Sequence, residues 1–292
     1  MATNKSRPLY PALCVFLGAT LWGVVWYPMR LLEGGGLQGV WLTLVLYATA
    51  LIASLPWTFR TIPELVRSPG WLTVLLLSAG WTNIAFVEAV LDGNILRVLL
   101  LFYLSPLWAT LMGRIVLGER ISRVAAVSLA IASGGALLML WNPALGVPWP
   151  QDRADWMALT SGLAFALSNV ATRKVQEVSV GAKVFCVWSG VTVMALMMIA
   201  LFAVPLPSLT LPLFGGGIAL GLAVLLMTLL IQYGVTHIPV HRSAVITFVE
   251  LVAGAVSQQL LTDEIVTARE WLGGALIVCG AYFAVRSSAR ES

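Results

Sequence analysis

Read from one end to the other, the chain is a succession of long apolar runs separated by short polar or Pro/Gly-rich breaks. The runs cover residues 11–29, 40–57, 71–90, 98–117, 124–141, 155–171, 184–204, 211–233, 244–261 and 271–285. Most approach the roughly 20 apolar residues that carry an α-helix across a bilayer. Lipid offers no water to loose backbone groups, so such runs resolve into helices that satisfy their own hydrogen bonds. The pattern predicts an all-α integral membrane protein of ten transmembrane helices. The first run follows Lys5 and Arg7, as in a signal peptide, but Trp22, Trp26 and Tyr27 stand where a cleavage site wants small residues. It reads as a retained helix.

Composition sharpens this picture. Of 292 residues, 59% are hydrophobic and 10% charged, against about 45–50% and about 25% in soluble domains. A soluble globule is excluded. A formal net charge of +4 suggests nucleic acid only in a soluble chain; in a membrane protein Lys and Arg gather in the cytoplasmic loops. With the N-terminus in the cytoplasm, only Arg30, Arg97, Arg153 and Arg269 of the 17 basic residues fall outside. A miscounted span would invert every later loop and erase that asymmetry. The expectation is a multi-pass protein of the cytoplasmic (inner) membrane with both termini inside. Cys14, Cys186 and Cys279 lie far apart within apolar runs and read as small core residues.

The longest connection, 142–154, carries Pro143, Pro148 and Pro150. It reads as an external linker between two five-helix halves, 1–141 and 155–292. An odd number of spans per half makes the second half enter from the opposite side, which is an inverted repeat. A shift of 145 residues lays Arg97 on Arg242, Glu119 on Glu264, Val90 on Val235, Gly135 on Gly280 and Ala136 on Ala281. A shift of 144 lays Gly18 on Gly162 and Arg30 on Lys174.

Several short motifs follow this order. Trp22-Gly23 and Arg30 lie in the first helix; Ser105-Pro106 and Leu117-Gly118-Glu119 belong to the fourth; Glu250-Leu251 and Thr262-Asp263-Glu264 echo them in the ninth. In these residues the chain resembles the drug/metabolite transporter superfamily, specifically its ten-helix EamA-type exporters. Leu251 stands where proline is usual and Asp263 where glycine is usual, which puts a proline-set bend in helix 9 in doubt. The resemblance covers essentially the whole chain. It implies that helices 1, 3, 4, 6, 8 and 9 surround a central cavity, with 2, 5, 7 and 10 peripheral, and that the solute is a small metabolite or drug.

Glu250 is the most informative residue. It lies near the middle of helix 9 on a stripe with Ser243, Thr247, Gly254 and Ser257, spaced to share one helix face. A carboxylate at that depth costs about 2.5 kcal/mol or more unless paired, hydrated or protonated, and is functional by default. The competing reading is a neutral Glu bonded to a neighbouring helix. Glu88 follows, on a helix 3 face with Ser78, Trp81, Ala85 and Asp92; a local ion pair is expected between Asp92 and Arg97. Trp22 and Trp26 on helix 1, and Tyr103 and Trp108 flanking Pro106 on helix 4, offer ring faces for apolar or cationic groups. Thr247 joins the set from the Glu250 stripe, and Asn83, Ser168, Asn169, Thr228 and Gln232 are weaker candidates, each suiting an interhelical hydrogen bond better than a ligand contact. Trp71 and similar residues near span ends read as interface anchors.

His237 and His241 flank Pro239 with no third ligand near, and read as solvated loop residues. No metal, no cofactor and no catalytic constellation is expected, so the chain is read as a non-enzyme. The leading expectation is a transporter exporting a small amphipathic or zwitterionic metabolite, an amino acid or its derivative, by alternating access, with proton coupling an option. Export of cationic drugs is the alternative within this class; an integral-membrane enzyme or lipid-handling protein is the alternative from another. The expected partners are a small-molecule solute and membrane lipids, without nucleic acid. A monomer suffices, and an oligomer is left open.

Overall fold

The computed structural model describes residues 9–37, 39–93, 95–142, 149–208, 210–262 and 266–288, and among them there is no strand. The first half contains α1 (Leu9–Val24), α2 (Trp26–Gly34), α3 (Gly39–Thr58), α4 (Pro69–Asp92), α5 (Ile95–Phe102), α6 (Ser105–Leu117) and α7 (Arg123–Leu140). A 3₁₀ segment, Phe59–Arg67, joins α3 to α4. The second half contains α8 (Arg153–Lys174), α9 (Val180–Leu201), α10 (Leu211–His237), α11 (Val240–Thr247), α12 (Val249–Leu261) and α13 (Ala268–Ser288). Five helices start where a side-chain oxygen accepts an otherwise orphaned amide, Thr267 doing so for the Glu270 amide of α13. Ser122 caps α7, Asp152 caps α8, Ser179 caps α9 and Thr210 caps α10.

Nine segments among the described residues are long and apolar enough to cross a membrane. Three of them join two helices end to end: α1 with α2, α5 with α6, and α11 with α12. The remaining apolar run, 155–171, is helix α8. Its buried Asp155, Ser161, Ser168, Asn169 and Thr172 lower its apolar character and face neighbouring helices. One example is the Ser161 hydroxyl, which donates to the Thr82 carbonyl of α4 at 2.7 Å.

The interruptions have local causes. Pro106 lacks an N–H for the Phe102 carbonyl four residues back, and α5 ends at Phe102. Gly162 lets α8 approach that freed carbonyl, since a Cβ there would sit 2.6 Å from it. The ninth apolar run breaks at the matching position without a proline. The Phe248 amide bonds to Val245 and the Leu251 amide to Phe248, both three residues back, tightening one turn. Ser243 and Thr247 hydroxyls donate to the carbonyls of Val240 and Ala244, an arrangement that bends helices. Fully buried Phe248 stacks on Tyr103, with ring centroids 6.0 Å apart and planes 22° off parallel. The two breaks thus meet at the centre of the molecule. The proline-set bend doubted from Leu251 is absent, and the helix is interrupted at Phe248 by a tightened turn instead.

A main apolar core joins α3, α4, α9 and α10 around Trp188, Leu42, Leu75 and Val224. A smaller one joins α7 and α13 to α11. Cys14 and Cys186 are buried as expected; Cys279 is exposed, because it lies on the outer face of α13.

Candidate functional site

The site is built where α1 crosses α12. A Cβ at Gly23 would lie 2.3 Å from the Glu250 carbonyl oxygen and 2.7 Å from Ala253 Cβ, so only glycine permits this approach. Trp22, the preceding residue, is thereby placed in the same cavity as Glu250. Trp26 staples the crossing: its indole N–H donates to Ser257 Oγ at 2.8 Å, and Ser257 donates to the Gly254 carbonyl at 2.8 Å. The polar stripe expected on helix 9 therefore runs along the face toward α1 and the cavity.

The cavity measures about 170 Å³, close to the ~150 Å³ that accommodates a benzene ring. Tyr47, Phe86, Phe102 and Phe165 supply a ring wall; Asn83, Asn169 and Gln232 supply amides; Thr82, Ser168, Thr228 and Thr247 supply hydroxyls. Phe102 bridges the wall, with centroids 4.9 Å from Phe86 and 5.6 Å from Phe165. Tyr47 is the side-chain partner of Asn83, and the Asn83 amide also donates to the Ala79 carbonyl at 3.0 Å. Thr228 Oγ1 is buried without a hydrogen-bond partner. Glu250 is the one ionisable carboxylate in the lining, which contains no Lys or Arg. Its side-chain partner is the Tyr103 hydroxyl, contributed by the opposite half.

Six sequence candidates line this cavity together: Trp22, Asn83, Asn169, Gln232, Thr247 and Glu250, with Tyr103 directly behind Glu250. Four do not. Trp26 is taken by Ser257. Trp81 is exposed, because the cavity face of α4 is Ala79, Thr82, Asn83 and Phe86, rotated from the expected face. Trp108 packs among Ala109, Ala166, Val170 and Ala244. Glu88 pairs with Arg153 at 3.6 Å near the surface. Arg97 pairs with Asp155 at 2.7 Å, replacing the expected pair with Asp92. His241 is buried and 3.2 Å from Glu119, so it is no solvated loop residue; His237 is exposed. Glu264 and Asp263 lie outside the described residues. Helices expected to be peripheral also contribute, Tyr47 from α3 and Val187 from α9. Sequence reasoning missed the ring wall, because single aromatics inside apolar runs carry no positional signal. Among the described residues, no three His, Cys, Asp or Glu side chains gather to hold a metal.

A helical protein with repeated membrane-spanning segments, closed around a cavity the size of a small solute, defines a polytopic membrane transporter class. The EamA-like transporter family matches residues 9–141 and again residues 152–286. The chain belongs to this family. It is 29% identical to Protein RarD of Salmonella typhi over 134 residues, which is 44% of this chain and 43% of that one. It is 28% identical to Protein RarD of Salmonella typhimurium over the same length. The match thus spans less than half the length of these curated relatives. A solved crystal structure of a protein superposes with a TM-score of 0.77 over 97% of this chain and 98% of its own, at 18% identity, a likeness of fold.

Proposed function

We propose that the protein exports a small amphipathic solute bearing an ammonium group, such as an amino-acid derivative, by alternating access. The observation that carries this reading is the cavity lining: one carboxylate, Glu250, opposite a wall of aromatic rings, with no Lys or Arg. An ammonium finds its counter-charge at Glu250 and cation–π attraction on the rings. The apolar body of the solute rests on Phe86, Phe102 and Phe165. Nucleotides and other polyanions meet no positive group. A second reading, a zwitterionic amino acid, is favoured by Asn169 and Gln232, whose amides offer neutral donors to a carboxylate.

In this reading α8 is the tenth crossing, and both termini lie in the cytoplasm. Arg60, Arg67, Arg114, Arg120, Arg123, Arg173 and Lys174 share one side by chain order, which supports calling that side cytoplasmic. Two family matches, to 9–141 and 152–286, support the division into halves 1–141 and 155–292 about the linker 142–154. Glu250 sits in the first turn of α12, with the Tyr103 hydroxyl of the first half as its side-chain partner. It exchanges a proton as the cavity opens to water, and only the ionised form holds an ammonium. That difference is what lets a proton bias a two-state carrier.

The test is flux in proteoliposomes with three one-ring probes: phenethylamine, phenylalanine and 3-phenylpropionate. The amine should move fastest and the acid not at all. Phenylalanine moving faster than the amine selects the zwitterionic reading; transport of the acid at the amine's rate overturns both.

A further inference from the structure

A continuous polar cluster lies beneath the cavity, and none of it belongs to the solute site except Gln232. The Thr172 hydroxyl donates to Gln232 Oε1 at 2.9 Å, and the Thr236 hydroxyl to the Gln232 carbonyl at 2.7 Å. Thr236 is one turn nearer the end of α10. The ammonium of Lys183, fully buried, donates to its hydroxyl at 3.0 Å, and Arg173 donates to its carbonyl at 2.5 Å. Arg173 Nε in turn lies 3.7 Å from Glu119 Oε1.

Glu119 gathers the rest. Its two oxygens accept the Val240 N–H, the first amide of α11, at 3.0 and 3.2 Å, and Oε2 lies 3.2 Å from His241 Nδ1. The local cause is the Leu117-Gly118-Glu119 sequence. Gly118 takes a left-handed conformation, φ +68°, and the Glu119 amide returns to the Gly113 carbonyl at 3.2 Å, folding the carboxylate back over the end of α6. One side chain of the first half thus holds α8 and α11 of the second, and through Arg173 and Thr236 it reaches α10 and α9.

We propose that Glu119 is the latch of the gate closing this end of the cavity, and that transport requires its release. This rests on the reading of the protein as a carrier. At the opposite end the described residues carry a different tie. There Arg97–Asp155 ties α5 to α8, and α12 packs chiefly on α1 and α13. The Glu119 cluster is shielded but sits at the protein's edge, with 13% of the Glu119 side chain and 24% of the Arg173 side chain exposed. Water can therefore take over its hydrogen bonds as the gate opens.

The test reads access, not transport, so it stands apart from solute identity. Ser168→Cys, a cavity position, is placed in a chain with Cys14, Cys186 and Cys279 replaced by alanine. Its reaction with a membrane-impermeant maleimide is timed in right-side-out and inverted vesicles. Glu119→Ala should speed labelling from the side of the α10–α11 turn about tenfold or more, because a partner has been removed from a shielded ion pair. It should slow labelling from the other side, since the population shifts from one closed form to the other. Glu88→Gln, at the far end, should change neither rate. Where Glu119→Ala does not insert, Glu119→Gln keeps an acceptor for the Val240 amide, loses the ion pair with Arg173 and carries the same reading. Unchanged rates overturn the proposal. So does faster labelling from both sides, the mark of a loosened fold.

Discussion

Gly23→Ala tests the geometry of the site most directly. The added methyl would lie 2.3 Å from the Glu250 carbonyl oxygen, 2.7 Å from Ala253 Cβ and 3.0 Å from the Gly254 nitrogen. Two of these atoms are helix backbone, which no rotamer change can move aside. Bringing the first contact out to 3.0 Å requires α1 and α12 to part by about 0.7 Å. Overpacking of this kind costs about 1–3 kcal/mol, set against a gain of about 0.8–1 kcal/mol from replacing glycine by alanine in a helix. The net expectation is a loss of up to about 2 kcal/mol, with Trp22 and Glu250 displaced relative to each other. The assay pairs thermal unfolding in detergent, followed by tryptophan fluorescence, with phenethylamine flux at matched abundance. Gly134→Ala, a helical glycine whose Cβ meets nothing within 4 Å, is the control and should be neutral or slightly stabilising. A Gly23→Ala protein that melts no lower than wild type and transports as fast refutes the argument that this crossing positions the site.

Glu250→Gln keeps the volume but cannot lose a proton, so flux should stop responding to an imposed pH gradient in proteoliposomes; a preserved response removes Glu250 from the coupling step. Trp22→Ala should weaken flux of an aromatic amine severalfold, whereas Trp71→Ala should change it little; equal flux by both returns Trp22 to a packing role. Gln151→Cys should react with an impermeant thiol reagent from outside intact cells and Arg67→Cys should not. The reverse pattern would sink the assignment of the termini to the cytoplasm.

The apolar periodicity made most of the helices legible, since twenty-residue runs leave the backbone few alternatives in lipid. The three interruptions were harder to see. Pro106 announces one of them, but the break at Phe248 comes from hydroxyls bonding their own helix and from a ring stacked across the molecule. On α4 the spacing was read as one polar face, through Ser78, Trp81 and Glu88, whereas the cavity face runs through Ala79, Thr82, Asn83 and Phe86. Packing against α8 and α9 sets that rotation, and spacing carries no sign of it. Glu250 was conspicuous because a carboxylate in an apolar run has few explanations. Tyr47, Phe86, Phe102 and Phe165 were not, since in an apolar run a ring facing a cavity reads like a ring facing lipid. His241 was misjudged because its partner, Glu119, is 122 positions away.

The polarity of α8 bears on how the protein is made. Apolar side chains favour release of a helix from the insertion machinery by only about 0.3–0.6 kcal/mol each, while a central aspartate opposes it by about 2.5–3.5 kcal/mol. α8 carries Asp155 at its start and Ser161, Ser168, Asn169 and Thr172 along its length, all buried. Two of these groups are met by segments synthesised earlier, Asp155 by the guanidinium of Arg97 and Ser161 by the Thr82 carbonyl, while Thr172 turns to Gln232 of the later α10. A helix that is poorly lipophilic alone becomes acceptable once those groups are waiting beside the exit. The order of synthesis thus puts two of the polar partners of α8 in place before α8 itself is made.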